Sequence, residues 1–218
     1  MAEPQLEFSK KYDADHAAFY LEKHQRGFWR RLNTRREIGM ARRALRIAGN
    51  PASVLDLPCG TGRFWALLAE HPQRTIHAAD LNPAMFQTGL DKRPSSLTRR
   101  IDAFQASAFS IPRPDKFVEC VFSIRLLHHI PKPEDRLAIL CEFKRVASSS
   151  IIVSLWIDGN YRAMRRMRKP PRPGPSQDRY IVPRAVIERE FQECGLKKLG
   201  RVDLLKFYSM WTTYVLQT

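Results

Sequence analysis

Residues 54–64, VLDLPCGTGRF, restrict what this chain can become more than any other stretch. A short apolar run ends at Asp56 and passes at once into a turn holding Gly60 and Gly62, after which FWALLAE resumes at helical spacing. The pattern reads as strand, tight turn and helix start. The glycines take away side chains where a ligand would meet the backbone, and the following helix offers unpaired amides at its N-terminus. A carboxylate at Asp56 suits a ligand bearing positive charge or hydrogen-bond donors, not the pyrophosphate of the usual Gly-rich loop. Residues 74–80, RTIHAAD, read as a second strand ending at Asp80, 24 positions after Asp56. In a β-α-β unit that acid returns beside the loop, placed to accept from ribose hydroxyls. Two strand-end carboxylates and a glycine turn describe a nucleoside pocket.

These residues resemble class I S-adenosylmethionine-dependent methyltransferases of the small-molecule branch. VLDLPCGTGRF is similar to the family's first motif, AADLNPAMF to its second, and FVECVFSIRLLHHI, residues 117–130, to its fourth strand and following turn. The resemblance spans about residues 52–157 and implies S-adenosyl-L-methionine as cofactor. It implies Asp56 beside the methionine amino group, Gly60 and Gly62 along its backbone, Asp80 on both ribose oxygens and Leu81 against the adenine. Ser107, Ala108, Ser123 and the loop residue Pro58 complete the implied cofactor set. Two positions depart from the family: Pro58 stands where Gly is more common and offers no amide. Ser107 stands where many members have an Asp, leaving a hydroxyl to meet the adenine.

Further along, residues 99–106, 117–123 and 151–157 read as strands alternating with helices, as a parallel sheet with crossover connections demands. VDLLKF and MWTTYVLQT read as two final strands, antiparallel by resemblance. The expected fold is α/β, a Rossmann-like, mostly parallel seven-stranded sheet flanked by helices, with an N-terminal helical extension. We expect residues 1–49 to form that basic extension and lid, and residues 50–218 one methyltransferase domain with a basic, Pro-rich insertion near 158–180. Asn33 and Thr34 are expected to break the leading helix in two. Ligands of such sheets gather beyond the C-terminal strand ends, which makes Arg125, Trp156 and Tyr161 acceptor-side candidates. Tyr12, Tyr20 and Trp29 are candidates from the lid. His128 and His129 are adjacent, so they point apart and do not form a joint metal site; each is a candidate general base, against a structural role for the pair. No metal constellation is evident.

The 218 residues carry a formal charge of +15, more than solubility requires, which draws anionic partners. Arg165 and Arg166 lie in a run of six cations without an acid, so the expected acceptor is a small anion or lipid precursor, with RNA as the alternative. A noncatalytic S-adenosylmethionine-binding protein is a further alternative, whereas DLPCGTG lacks the phase of a nicotinamide-binding G-x-G-x-x-G. No apolar run approaches transmembrane length and the opening residues lack the apolar core of a signal peptide, so a cytoplasmic protein is expected. Four scattered cysteines are expected as free thiols. Oligomeric state is left open.

Overall fold

A computed structural model describes residues 28–168 and 179–218, with the side chains of 28–32 also outside it. Helix α1 (Phe28–Ile47) leads into β1 (Ser53–Asp56), and a one-turn helix α2 (Trp65–Leu68) into β2 (Thr75–Asp80). Helices α3 (Pro83–Lys92) and α4 (Ser95–Thr98) precede β3 (Ile101–Gln105), and β4 (Val118–Ser123) runs to a 3-10 turn at Leu127–His129. Then follow α5 (Pro133–Val146), β5 (Ala147–Ile157), α6 (Tyr161–Met167), β6 (Ile181–Val182), α7 (Arg184–Glu193), β7 (Lys197–Asp203) and β8 (Trp211–Gln217).

The strands form one sheet in the order β3-β2-β1-β4-β5-β8-β7, with the two-residue β6 beside the end of β5. All pairings are parallel except those of β8 with β5 and β7. The expected architecture is present, with eight strands rather than seven because β6 adds a short one. The last pair differs in detail: β7 begins at Lys197 and ends at Asp203, so Leu204 to Phe207 belong to a loop. Asn33 and Thr34 do not interrupt α1, which runs unbroken.

Successive strand residues serve opposite faces, as the pleat requires. Leu55, Val121, Ile151, Val153 and Leu216 pack with Ile139, Phe143, Ile187 and Phe191 of α5 and α7. Their neighbours Val54, Cys120, Phe122, Ile152 and Val215 pack with Ala41, Ala44 and Leu45 of α1 and Leu67 and Leu68 of α2. Helix α1 therefore shares the core of the sheet, and its Ile47 lies over Gly200, where a Cβ would come within 3.1 Å of Ile47 Cγ2. Across α5 and α7, buried Arg136 donates from Nε to Glu190 Oε2 at 2.9 Å and from a terminal nitrogen to Oε1 at 2.5 Å. Arg136 also donates to the carbonyls of Ile130 and Pro131. Of the cysteines, all free thiols, Cys141 is exposed and its sulfur lies 2.8 Å from that of buried Cys194.

Candidate functional site

A cleft opens at the C-terminal ends of β1, β2 and β4, where crossovers to opposite sides of β1 leave room between the loops. Its floor is the loop from Leu57 to Thr61; Asp80, Leu81, Asn82 and Met85 form one side, residues 106–109 the next, and Ile124, Arg125, Leu126, His128, His129, Arg179 and Trp211 the far wall.

Asp80 ties loop and strand end together. Its Oδ2 accepts from the Gly60 amide at 2.9 Å and its Oδ1 from the Asn82 amide at 3.1 Å. Burial raises its pKa, and those amides, with that of Leu81, act against the rise. A carboxylate has about four lone-pair positions, so Asp80 retains accepting capacity toward the cleft. Asn82 caps α3 by accepting from Ala84 N at 3.0 Å, with Pro83 at the first helical position.

Asp56 is fully buried behind this floor and is not among the cleft-lining residues; its Oδ2 has no hydrogen-bond partner. Burial, and then the charge of Asp80, push its pKa well above the usual carboxylate value, with Arg93 acting in the other direction. Gly60 lines the cleft at φ 54°. Gly62 does not line it: at φ 69°, a Cβ there would stand 2.3 Å from the ring of buried Trp65. Its missing side chain makes room for an indole, not for a ligand. Burial, together with Asp56 and Asp80, also raises the Cys59 thiol.

Pro58, Leu81, Ser107 and Ala108 line the cleft, and Ser107 Oγ accepts from the Phe109 amide at 3.2 Å. Ser123 is buried, its hydroxyl without a partner, and does not reach the lining. Arg125 reaches it at a left-handed φ of 71°, its amide donating to Ser154 Oγ. Trp156 stands one layer back, stacked on His128 at 5.3 Å, and Trp211 meets both rings edge-on. Burial lowers the His128 pKa well below its ordinary value, and His129, Arg179 and Arg125 add to the effect; its Nδ1 has no partner. His128 is thus a neutral wall residue. Tyr161 lies away from the lining, stacked on Tyr208; Arg165 is exposed, and Arg166 covers the Trp156 ring at 5.0 Å. Tyr12 and Tyr20 lie outside the described residues, as does the side chain of Trp29.

Sequence reasoning misses a clamp. Glu37 of α1 pairs with Arg63 at 2.6 Å and with Arg125 at 2.5 Å, fixing the helix to both sides of the cleft. Arg63 follows Gly62 directly and was a legible signal; Glu37, Arg179 and Trp211 carry no local one. Among the described residues no cluster of His, Cys, Asp or Glu suits a metal, and no helix is long and apolar enough to cross a membrane.

Comparison with known proteins gives this geometry its context. Residues 54–150 match the family described as "Methyltransferase domain". The ubiquinone/menaquinone biosynthesis C-methyltransferase UbiE of Yersinia pestis is 31% identical over 110 residues, 42% of this chain and 43% of that protein. The chain thus spans less than half the length of the curated relatives it matches. Among solved structures, magnesium protoporphyrin IX methyltransferase (ChlM) of Synechocystis, with bound SAH, shares the fold at TM-score 0.67 and 15% identity, covering 88% of each chain. A SAM-dependent methyltransferase from Aquifex aeolicus does so at 0.57 and 18%, covering 76% of this chain and 81% of that one.

Proposed function

We propose that this chain, whose residues 54–150 match a methyltransferase domain, is a class I S-adenosylmethionine-dependent methyltransferase that methylates a small anionic acceptor at an oxygen, nitrogen or carbon atom. The donor set suits the cofactor. Asp80 has accepting capacity for ribose hydroxyls, the orphaned Oδ2 of Asp56 calls for a donor or positive charge, and Leu81 with Ala108 offers apolar surface to a base. S-adenosylmethionine supplies an electrophilic methyl group on a sulfonium; the protein's task is to align an acceptor with it and keep water out. Ser107 would offer its hydroxyl to the adenine edge, and Pro58 would stiffen the floor.

The anionic character of the acceptor rests on one observation: Arg63, Arg125 and Arg179 line the same cleft as Asp80. Trp211 and His128 give that wall flat apolar surface. UbiE is, by its name, a C-methyltransferase of ubiquinone and menaquinone biosynthesis, which supports a small acceptor here. Where the acceptor loses a proton, His129, which lines the cleft, serves as base in this reading, since burial and neighbouring cations hold the His128 pKa well below its ordinary value. Trp29, Tyr12 and Tyr20 remain lid candidates in this reading.

The test is a screen with methyl-labelled cofactor against small aromatic carboxylates, phenolates and phosphates beside their neutral counterparts. Label should enter anionic members, and Arg179→Ala should raise KM several-fold with cofactor affinity unchanged. Label entering only RNA, or only neutral compounds, overturns the reading.

A further inference from the structure

We propose that α6 and the loop between β7 and β8 form a docking face for the surface of an anionic lipid bilayer. The two segments are one unit. The Tyr161 and Arg162 amides, in the first turn of α6, donate to the carbonyls of Phe207 and Tyr208 at 2.9 and 3.1 Å, and the rings of Tyr161 and Tyr208 stack at 5.7 Å. Of the ten exposed large apolar side chains among the described residues, six lie here: Tyr161, Met164, Met167, Leu205, Phe207 and Tyr208. Single exposed apolar residues need no explanation; six in one place do. Only Ala163 of α6 is buried, so the helix contributes little else to the core.

Charge decides what such a face fits. Arg162, Arg165, Arg166, Arg168 and Lys206 stand in these segments, and residues 161–168 and 204–210 contain no acid. Apolar side chains interspersed with Arg and Lys, Arg162 over the Tyr208 ring and Lys206 over that of Phe207, match the boundary between lipid headgroups and acyl chains, where each cation adds attraction to anionic lipid. Phe207 is the most exposed of the set at 75%, held outward at φ 62°, a conformation bulky residues avoid. The loop is nevertheless fixed: the Tyr208 and Ser209 amides donate to Leu205 O, and the Leu204 amide to Trp211 O. A single strand of RNA is a poorer match, because Tyr161 and Tyr208 already stack on each other and Met164, Met167 and Leu205 offer bases neither a ring nor a hydrogen bond. The face also adjoins the cleft, since the loop runs into Trp211 and Arg166 covers Trp156. Docking there would seat the aromatic wall against the lipid surface.

Vesicle flotation tests this without recourse to methyl transfer. The full chain is mixed with vesicles of phosphatidylcholine alone, and of phosphatidylcholine with phosphatidylglycerol. Preferential flotation with the anionic vesicles is expected, and the double variant Phe207→Ser/Met167→Ser should partition at least about tenfold more weakly, since it loses apolar surface and no charge. Arg162→Gln/Lys206→Gln should weaken binding and flatten its salt dependence. Circular dichroism and binding of S-adenosylhomocysteine serve as fold controls, and failure of the parent protein to bind that nucleoside would count against the proposed reaction, not against docking. Absence of flotation overturns the proposal. So does flotation equal in parent and Phe207→Ser/Met167→Ser, which is adsorption by net charge, or a loss in that variant of binding to labelled single-stranded RNA with vesicle binding intact.

Discussion

Asp56 occupies an unfavourable place for a negative charge, fully buried, near Asp80, with one oxygen lacking a donor. An acid whose folded pKa is raised adds stability while protonated, fully below its unfolded value, and loses that contribution as pH rises toward the folded one. Asp56→Asn should therefore be more stable than the parent protein at neutral pH, with the gap closing on acidification, as urea titrations at several pH values will read. The same variant should bind S-adenosylhomocysteine less well, because the orphaned oxygen belongs to the proposed cofactor set. Asp80→Ala belongs to the same experiment: loss of a charge-assisted hydrogen bond, about 1.5–3 kcal/mol, corresponds to an affinity drop of about 10- to 100-fold by calorimetry. His128 titrates in the opposite sense. Its depressed pKa means that stability starts to fall as pH drops below the ordinary histidine value, and His128→Phe should flatten that acid limb in thermal melts.

At the scale of elements, the buried Arg136 and Glu190 pair joins α5 to α7 beneath the sheet. Glu190→Ala leaves a guanidinium stranded in the core and should cost about 3–5 kcal/mol in chemical denaturation. Gly62→Ala should cost about 2 kcal/mol or more, because it meets the Trp65 ring and sits at left-handed φ. Its effect should fall on stability first, whereas a ligand-contacting glycine would change affinity first. That contrast marks the limit of what the sequence conveys. Strand, turn and helix around residues 54–64 are legible because their signals are local, and the register of β1 between β2 and β4 follows from apolar runs. Gly62 was visible as a glycine, yet sequence does not distinguish room for a ligand from room for an indole three residues on. The Glu37 clamp spans 88 residues to Arg125 and leaves no periodic trace. Trp156 was expected at the acceptor and stands behind His128, since β5 continues past the cleft floor and turns that indole toward Trp211.

For the molecule as a whole, ligand binding and folding draw on the same balance. S-adenosylhomocysteine at 100 times its dissociation constant should stabilise the protein by about 2.7 kcal/mol, seen as a rise of several degrees in melting temperature. The order of strands carries a consequence of another kind, in the timing of synthesis. Strand β8 lies between β5 and β7, so when a ribosome has delivered β7 its partner has not yet been made. Until β8 emerges, β5 shows a bare edge along residues 150–156 and the faces meant for Tyr214 and Leu216 stand open to water. Such edges invite pairing with other chains. Nascent chains halted just before Trp211 should be cut readily by protease within β7 and bind chaperones, while chains extended past Gln217 and clear of the exit tunnel should resist both.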